Sequence, residues 1–334
     1  MRGLSLALAV GGLAATGCLS ASRAPSLTTS RDLDQGTPLP VRYLADRFAV
    51  APVTERGDTL ILFTDTGGGA NMLWLDAARR LGLLVQRVPA GRDTVDVVSL
   101  PPLASSATIP LPPDLPPFGE RLMVVSPSGN PFGRDGFLGR MWFADRVWVF
   151  DYPRQSLMVL HGGAARTDTR AHSVPLGFQR DSAGRRTAHF PRIRIAVNSD
   201  SLDLLFDTGA TVNLSDSARA VLAAWGAAGP AERGTSFIGQ NVFDRWRTRH
   251  PEWRVIERAD VTFKTPMPMI EVPHLSVAGY EVGPVWFAVR STQSWQAMST
   301  KMDQGIEGAL GGSVLKYFRV TIDYPNAIAT FERP

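Results

Sequence analysis

The stretch "TLILFTDTGGGANMLW", residues 59–74, carries an apolar run into Asp65-Thr66-Gly67. A second stretch, "LDLLFDTGATVNLSD" at 202–216, does the same at Asp207-Thr208-Gly209. Alone, either tripeptide reads as a polar break that ends a hydrophobic strand. Two of them, each behind an apolar run, read as halves of a duplication whose other parts lie elsewhere in the chain.

Those other parts are "DGFLGRMWFADRVWVFDYPRQSLMV" (135–159) and "EGALGGSVLKYFRVTIDYPNAIATF" (307–331), which align without a gap at an offset of 172. They share Gly136/Gly308, Leu138/Leu310, Gly139/Gly311 and an Asp-Tyr-Pro at 151–153 and 323–325. Each reads as a buried turn, a short amphipathic helix, a strand, the Asp-Tyr-Pro turn and a second strand. The Asp-Thr-Gly motifs are offset by 142 (207 minus 65), so the second repeat holds about 30 extra residues between its landmarks. The run at 229–262, polar, Arg-rich and aromatic, has no counterpart in the first half and is the expected insertion. Helical spacing of apolar residues pairs "NMLWLDAARRLGL" with "LSDSARAVLAAWG" after the two motifs. Between the landmarks, apolar and polar residues alternate between Pro and Gly turns, as in short antiparallel strands. The expectation is an all-β fold with minor helix: two β-barrel-like lobes, 41–165 and 166–334, related by a pseudo-two-fold axis.

Composition narrows the function classes. A chain of 334 residues with 44% hydrophobic and 20% charged residues has the makings of a large core. The net charge of +4 is modest and its basic residues are scattered, only Lys264, Lys301 and Lys316 being lysines, so a nucleic-acid partner is not expected. Arg2, the apolar "LSLALAVGGLAATG" and then Cys18 make an export signal too short for a stable membrane span. "AATGC" resembles a bacterial lipobox, in which Cys18 would be lipidated and become the mature N-terminus; simple secretory cleavage near Ala21 is the alternative. Residues 1–18 are therefore read as a signal peptide and 19–40 as a polar tether. The expected location is the cell envelope, lipid-anchored at the outer membrane or periplasm, or secretion. Cys18 is the sole cysteine, which excludes an intrachain disulfide.

The chemistry follows from two carboxylates brought together. A strand delivers an Asp to its end, Thr can hydrogen-bond across to its counterpart, and Gly admits a close approach of the opposite loop. Like charges at such range cannot both ionise easily, so the pair shares a proton and titrates as a unit. One carboxylate can then act as base on a water while the other protonates the carbonyl under attack.

With these residues in view, the chain resembles the pepsin/retropepsin-like aspartic proteases, over roughly 45–334. "LLFDTGA" and "LGGSVLKYFRVTIDYP" are similar to bacterial retropepsin-like proteins, and "DTGGGANMLW" is closer to the pepsin-like loop. The resemblance implies a bilobal pepsin-like fold and catalytic Asp65 and Asp207. It implies dyad-supporting Thr66, Gly67, Thr208 and Gly209, and ψ-loop segments Phe137-Leu138-Gly139 and Ala309-Leu310-Gly311. It implies an aspartic endopeptidase without cofactor, acting on peptides or unfolded protein as a monomer, since one chain supplies both motifs. Two positions depart from the family pattern: Thr64 replaces an apolar residue, and Gly68 stands where a hydroxyl residue is frequent. The flap tyrosine is missing, and the hairpin-like 85–98 or the segment around Gly234–Gly239 are candidate flaps. A catalytically weak peptide-binding lipoprotein on the same fold, and a structural or assembly lipoprotein, are the alternatives.

Other motifs have plainer readings. Five histidines (161, 172, 189, 250, 274) are too widely spaced for a metal site. "SVLK" (313–316) lacks the companion motifs of serine acyl-enzymes, and "GGGAN" (67–71) lacks the lysine of a phosphate loop. Trp225, Trp246, Trp253 and Trp295 are expected mainly in the core, with one or two free to face a cleft.

Overall fold

A computed structural model describes residues 36–114, 118–126, 133–161 and 170–333. The proposed signal peptide, Cys18 and most of the tether lie outside the described residues. Short strands dominate, joined by turns, with six short α-helices among the described residues.

Two sheets carry the two lobes. In the first, the strands run in the order Phe48–Val50, Leu62–Thr64, Gly136–Leu138, Met72–Trp74, Arg121–Val125, Asp93–Ser99, Gln86–Ala90, with Val41–Tyr43 at the outer edge. The second repeats that order as Arg192–Val197, Asp200–Phe206, Gly308–Leu310, Ser236–Gly239, Val285–Arg290, Met267–Val272, Val255–Asp260. Its added edge is the hairpin Leu275–Val277 and Tyr280–Val282. The strand before each Asp-Thr-Gly pairs in parallel with the strand holding the Leu-Gly landmark, Leu62 opposite Gly136 and Leu204 opposite Gly308. The all-β, two-lobed class expected from the sequence is the one found.

A third, six-stranded sheet joins the lobes, in the order Gly36–Pro38, Ser156–Leu160, Val147–Asp151, Arg319–Asp323, Ile328–Glu332, His172–Pro175. At its centre Val149 lies opposite Thr321, flanked by Val147 opposite Asp323 and Asp151 opposite Arg319. Because residues 172 apart are equivalent, this pairing is its own two-fold centre. The duplication in the sequence is thus a pseudo-symmetry axis in the fold. Beneath it, Phe48, Phe150 and Tyr152 pack edge to face or stacked at 5.0–6.3 Å, all fully buried or nearly so. Each such ring contributes on the order of 2–3 kcal/mol through burial.

Strand pairing corrects the placement of the insertion. Met72 lies opposite Phe137 in the first lobe, and Phe237 opposite Ala309 in the second, so Met72 and Phe237 are equivalent. Met72 follows Asp65 by seven residues, whereas Phe237 follows Asp207 by 30, which puts 23 of the extra residues directly after the second motif. They form a ribbon, Thr211–Asn213 with Glu232–Gly234, enclosing helix Asp216–Ala224. The insertion therefore begins upstream of the expected 229–262 and overlaps only the start of that range. The helix pairing shifts with it. Leu75–Arg80, which directly follows the strand Met72–Trp74, corresponds to Gln240–Arg249 after Ser236–Gly239, and 216–224 has no partner in the first lobe. Helical periodicity in "LSDSARAVLAAWG" was real, with Ser215 capping the helix through the Ala218 N–H at 3.1 Å. Periodicity does not say which strand the helix follows.

Candidate active site

Each motif aspartate sits just beyond a short buried strand and is fixed through its own backbone. The N–H of Asp65 donates to Leu138 O at 3.0 Å, and that of Asp207 to Leu310 O at 2.9 Å. The next residue of each landmark is held from the side. Gly139 N–H donates to Asn71 Oδ1 at 2.9 Å and Gly311 N–H to Ser236 Oγ at 3.0 Å. Asn71 and Ser236 are equivalent in the same register that equates Met72 with Phe237. Sequence reading missed both, since an Asn and a Ser doing one task share no pattern.

Across the axis the two loops interlock. Thr66 N–H donates to Thr208 Oγ1, Thr208 N–H donates to Thr66 Oγ1, and Thr66 Oγ1 donates to Phe206 O, at 3.2, 3.0 and 2.7 Å. Both threonines are buried. The glycines show how close the loops come. A Cβ on Gly67 would lie 2.6 Å from Asp207 Cγ, and one on Gly209 would overlap the Asp65 carboxyl, within 2.6 Å of Oδ1. Each lobe's glycine therefore faces the other lobe's aspartate, and only a residue without a side chain fits.

The carboxyls of Asp65 and Asp207 are close enough for each to perturb the titration of the other. Protein surrounds both, although each residue keeps some exposed surface. Burial raises the affinity of Asp65 for a proton; Asp207, the Gly67 and Gly68 amides and the Arg134 charge offset part of that rise. Asp207 is pushed up further, by burial first and then by the adjacent Asp65 charge, against the Gly209 and Ala210 amides. The two carboxyls thus titrate as a pair that holds a proton more tightly than free aspartates do. Asp65 Oδ1 is buried with no hydrogen-bond partner among the described residues.

The two departures from pattern acquire reasons. Thr64 Oγ1 donates to Phe48 O at 2.8 Å, so the hydroxyl in an otherwise apolar strand is satisfied internally. At Gly68 a Cβ would lie 2.9 Å from Asp65 Cγ, so the missing hydroxyl residue is one the loop has no room for.

An ion cluster beside the dyad was not legible beforehand. Arg47 and Arg134, 2% and 3% exposed, both reach Glu232 of the inserted ribbon, Arg47 at 2.7 Å. Arg47 also donates to Thr211 Oγ1 at 2.9 Å. The Arg134 guanidinium lies 4.1 Å over the ring of Phe63, two residues before Asp65, and burial draws its pKa down to about 10. The Arg134 charge favours an ionised Asp65.

The hairpin expected at 85–98 exists as Gln86–Ala90 and Asp93–Ser99, turning at Gly91. The other flap candidate fails: residues 234–239 are buried. Trp246, Trp253 and Trp295 are core residues, while Trp225, 40% exposed, stacks on Trp286. No cluster of metal-binding residues occurs among the described residues. Ser313 Oγ donates to Ser236 Oγ at 2.8 Å, which gives the "SVLK" serine a structural bond. A groove of about 540 Å³ between residues 176–180 and 302–304 includes none of the dyad residues.

No family model matches the chain, and no curated protein matches it. Among solved structures it is similar to an aspartic proteinase from Irpex lacteus, at 12% identity and a TM-score of 0.47, covering 89% of this chain and 97% of that one. It is also similar to basic 7S globulin from soybean, at 11% identity and a TM-score of 0.44, covering 90% and 94%.

Proposed function

We propose that this protein is an aspartic-type endopeptidase that hydrolyses peptide bonds with a water held between Asp65 and Asp207. The observation that carries the reading is the cross-lobe packing of Gly67 on Asp207 and Gly209 on Asp65, which brings two buried carboxyls into one titrating pair.

The chemistry is then a proton relay. Ionised Asp65 takes a proton from water, whose oxygen attacks the peptide carbonyl carbon. Asp207 gives its proton to the carbonyl oxygen, and a tetrahedral diol forms. The C–N bond breaks as Asp65 passes its proton to the leaving nitrogen and the diol returns a proton to Asp207, restoring the starting state. No covalent intermediate and no cofactor is required. An extended peptide, or an unfolded segment of a protein, is the proposed substrate form, since its backbone can be held by strand-like hydrogen bonds. The hairpin Gln86–Ala90/Asp93–Ser99 is the candidate lid.

The export signal and Cys18 support a place in the cell envelope, with a lipid anchor, and both motifs in one chain support a functional monomer. The purely structural alternative is disfavoured by the energetic cost of burying two neighbouring carboxyls in a site with no structural need for them. The test is digestion of an unstructured protein such as reduced, alkylated casein between pH 3 and 8. Internal cleavage with new amino termini supports the reading; intact substrate throughout that range contradicts it.

A further inference from the structure

Both halves of the chain carry the same Asp-Tyr-Pro turn, and two of its three side chains have plain duties. Asp151 Oδ1 accepts the Arg154 N–H at 3.0 Å and Asp323 Oδ1 the Asn326 N–H at 2.9 Å, which closes each turn. Proline restricts the backbone that follows. The tyrosines differ. Their rings are buried, Tyr152 at 2% and Tyr324 at 0% exposure, and they pack on Phe48 at 5.0 Å and on Phe178 at 5.5 Å respectively. Neither hydroxyl has a hydrogen-bond partner among the described residues. Phenylalanine would fill the same space without burying an unpaired oxygen, so packing accounts for the rings and not for the hydroxyls.

Each tyrosine is tied to the segment that holds the other lobe's aspartate. Tyr152 N–H donates to Phe318 O at 3.3 Å and Tyr324 N–H to Arg146 O at 3.2 Å, and these two acceptors are equivalent in the repeat. Phe318 lies just beyond helix Gly312–Leu315, and Arg146 just beyond helix Arg140–Phe143. Those helices start directly after Leu310-Gly311 and Leu138-Gly139, whose leucine carbonyls accept the amides of Asp207 and Asp65. The connection is therefore crosswise, Tyr152 to Asp207 and Tyr324 to Asp65. The electrostatics follow the same crossing. Burial raises the pKa of both phenols, so they stay neutral from acid to neutral pH and act as dipoles. Smaller influences come at Tyr152 from Tyr43, Asp46 and Asp207, and at Tyr324 from Arg186 and Asp65.

We infer that Tyr152 and Tyr324 are positioning residues of the dyad, each directing a neutral hydroxyl at the carboxyl of the opposite lobe and favouring its ionised form. A dipole with its hydrogen towards a carboxylate stabilises the anion, and does so most where water is excluded and screening is weak. The inference rests on the dyad of the proposed peptidase and adds two groups that adjust its charge. It differs from a packing role in what it moves. If the hydroxyls only pack, removing them leaves the titration of the pair where it was. If they act as dipoles, removing them raises its affinity for a proton.

The experiment compares the wild-type chain with Tyr152→Phe, Tyr324→Phe and the double variant. The profile of kcat/KM against pH for a cleaved peptide should move to higher pH by about half a unit in each single variant, and further in the double, because an anion-stabilising contact is lost. An unmoved profile would overturn the inference while leaving the peptidase reading intact. A second measurement needs no turnover: the difference in Tm, variant minus wild type, between pH 3 and 8. With the dyad fully protonated the hydroxyls have no anion to favour, so the phenylalanine variants should equal or exceed the wild type at the acid end. As the pair ionises the wild type gains the hydroxyl interaction, and the difference should fall with rising pH. A flat or rising difference overturns the inference even if the wild type cleaves nothing. On an Asp207→Asn background the fall caused by Tyr152→Phe should disappear. A fall that persists there belongs to Tyr43 or Asp46 and overturns the inference as well.

Discussion

Thr66 and Thr208 bond to each other's backbone across the pseudo-two-fold axis, N–H to Oγ1 in both directions, at 3.2 and 3.0 Å. The lobes are thereby locked together next to the two carboxyls. Thr66→Val keeps the shape but removes an acceptor and a donor, leaving the Thr208 N–H and Phe206 O buried without partners. Each such orphan costs about 1–3 kcal/mol. Chemical denaturation should show a loss in that range for Thr66→Val and much less for Thr66→Ser. A valine variant as stable as wild type would mean the lock contributes nothing.

Gly68 is crowded by the carboxyl it follows. A methyl at this position would sit 2.9 Å from Asp65 Cγ, against a short side chain and backbone that cannot swing aside. Gly68→Ala should therefore displace Asp65 and lower kcat by at least about tenfold, since small misplacements of reacting groups carry costs of that order or more. The same substitution at Gly69, where the nearest atom is Arg140 Nη1 at 3.9 Å, should leave kcat close to wild type. Equal effects at both positions would contradict the steric explanation.

Arg134 and Glu232 should move the acid limb of the pH profile in opposite directions. Arg134 favours ionised Asp65, and Glu232 neutralises part of Arg134. Arg134→Gln removes the cation, so the carboxyl holds its proton longer and the limb shifts up by about one pH unit. Glu232→Gln frees more positive charge, and the limb shifts down. A purely structural role for the cluster would lower activity in both variants without shifting the limb in opposite senses, so kcat/KM against pH separates the two accounts.

The buried dyad also sets the sign of a stability effect. Asp207 holds its proton more tightly folded than unfolded, because burial and the neighbouring Asp65 charge oppose ionisation. Its favourable contribution is complete below the unfolded pKa of about 3.9 and fades as pH rises through the raised folded value. Asparagine does not titrate. Asp207→Asn should match the wild type in thermal stability near the acid end of the range and exceed it increasingly towards neutral pH. A difference in Tm that is flat with pH, or reversed, would show that the carboxyl is not held in its protonated form.

The duplication was legible because it rests on local patterns repeated at fixed offsets. Asp65, Asp207 and the two Leu-Gly landmarks each follow a short apolar run, and the Asp-Tyr-Pro turns confirm the spacing. The insertion was misplaced because 211–213 and 236–239 are both short strands of mixed residues, and either could have joined the landmark strand. Only pairing between Phe237 and Ala309, 72 residues apart, decides it. The ion cluster was invisible for a related reason. Arg47 and Glu232 are 185 residues apart, and Arg134 and Glu232 98 apart, in a chain whose arginines are scattered throughout. Charge pairing over such separations leaves no periodic trace. Gly68, in contrast, was visible as a departure, and its reason emerged once the position of Asp65 was known.

The central claim is that Asp65 and Asp207 act as one unit. The most direct measurement is kcat/KM for a cleaved peptide in the wild type, Asp65→Asn, Asp207→Asn and the double variant, each confirmed as folded. If the dyad works as one unit, each single substitution abolishes turnover almost as completely as the pair, because groups that act together lose function non-additively. Turnover that survives in either single variant at a rate near the wild type would contradict the claim.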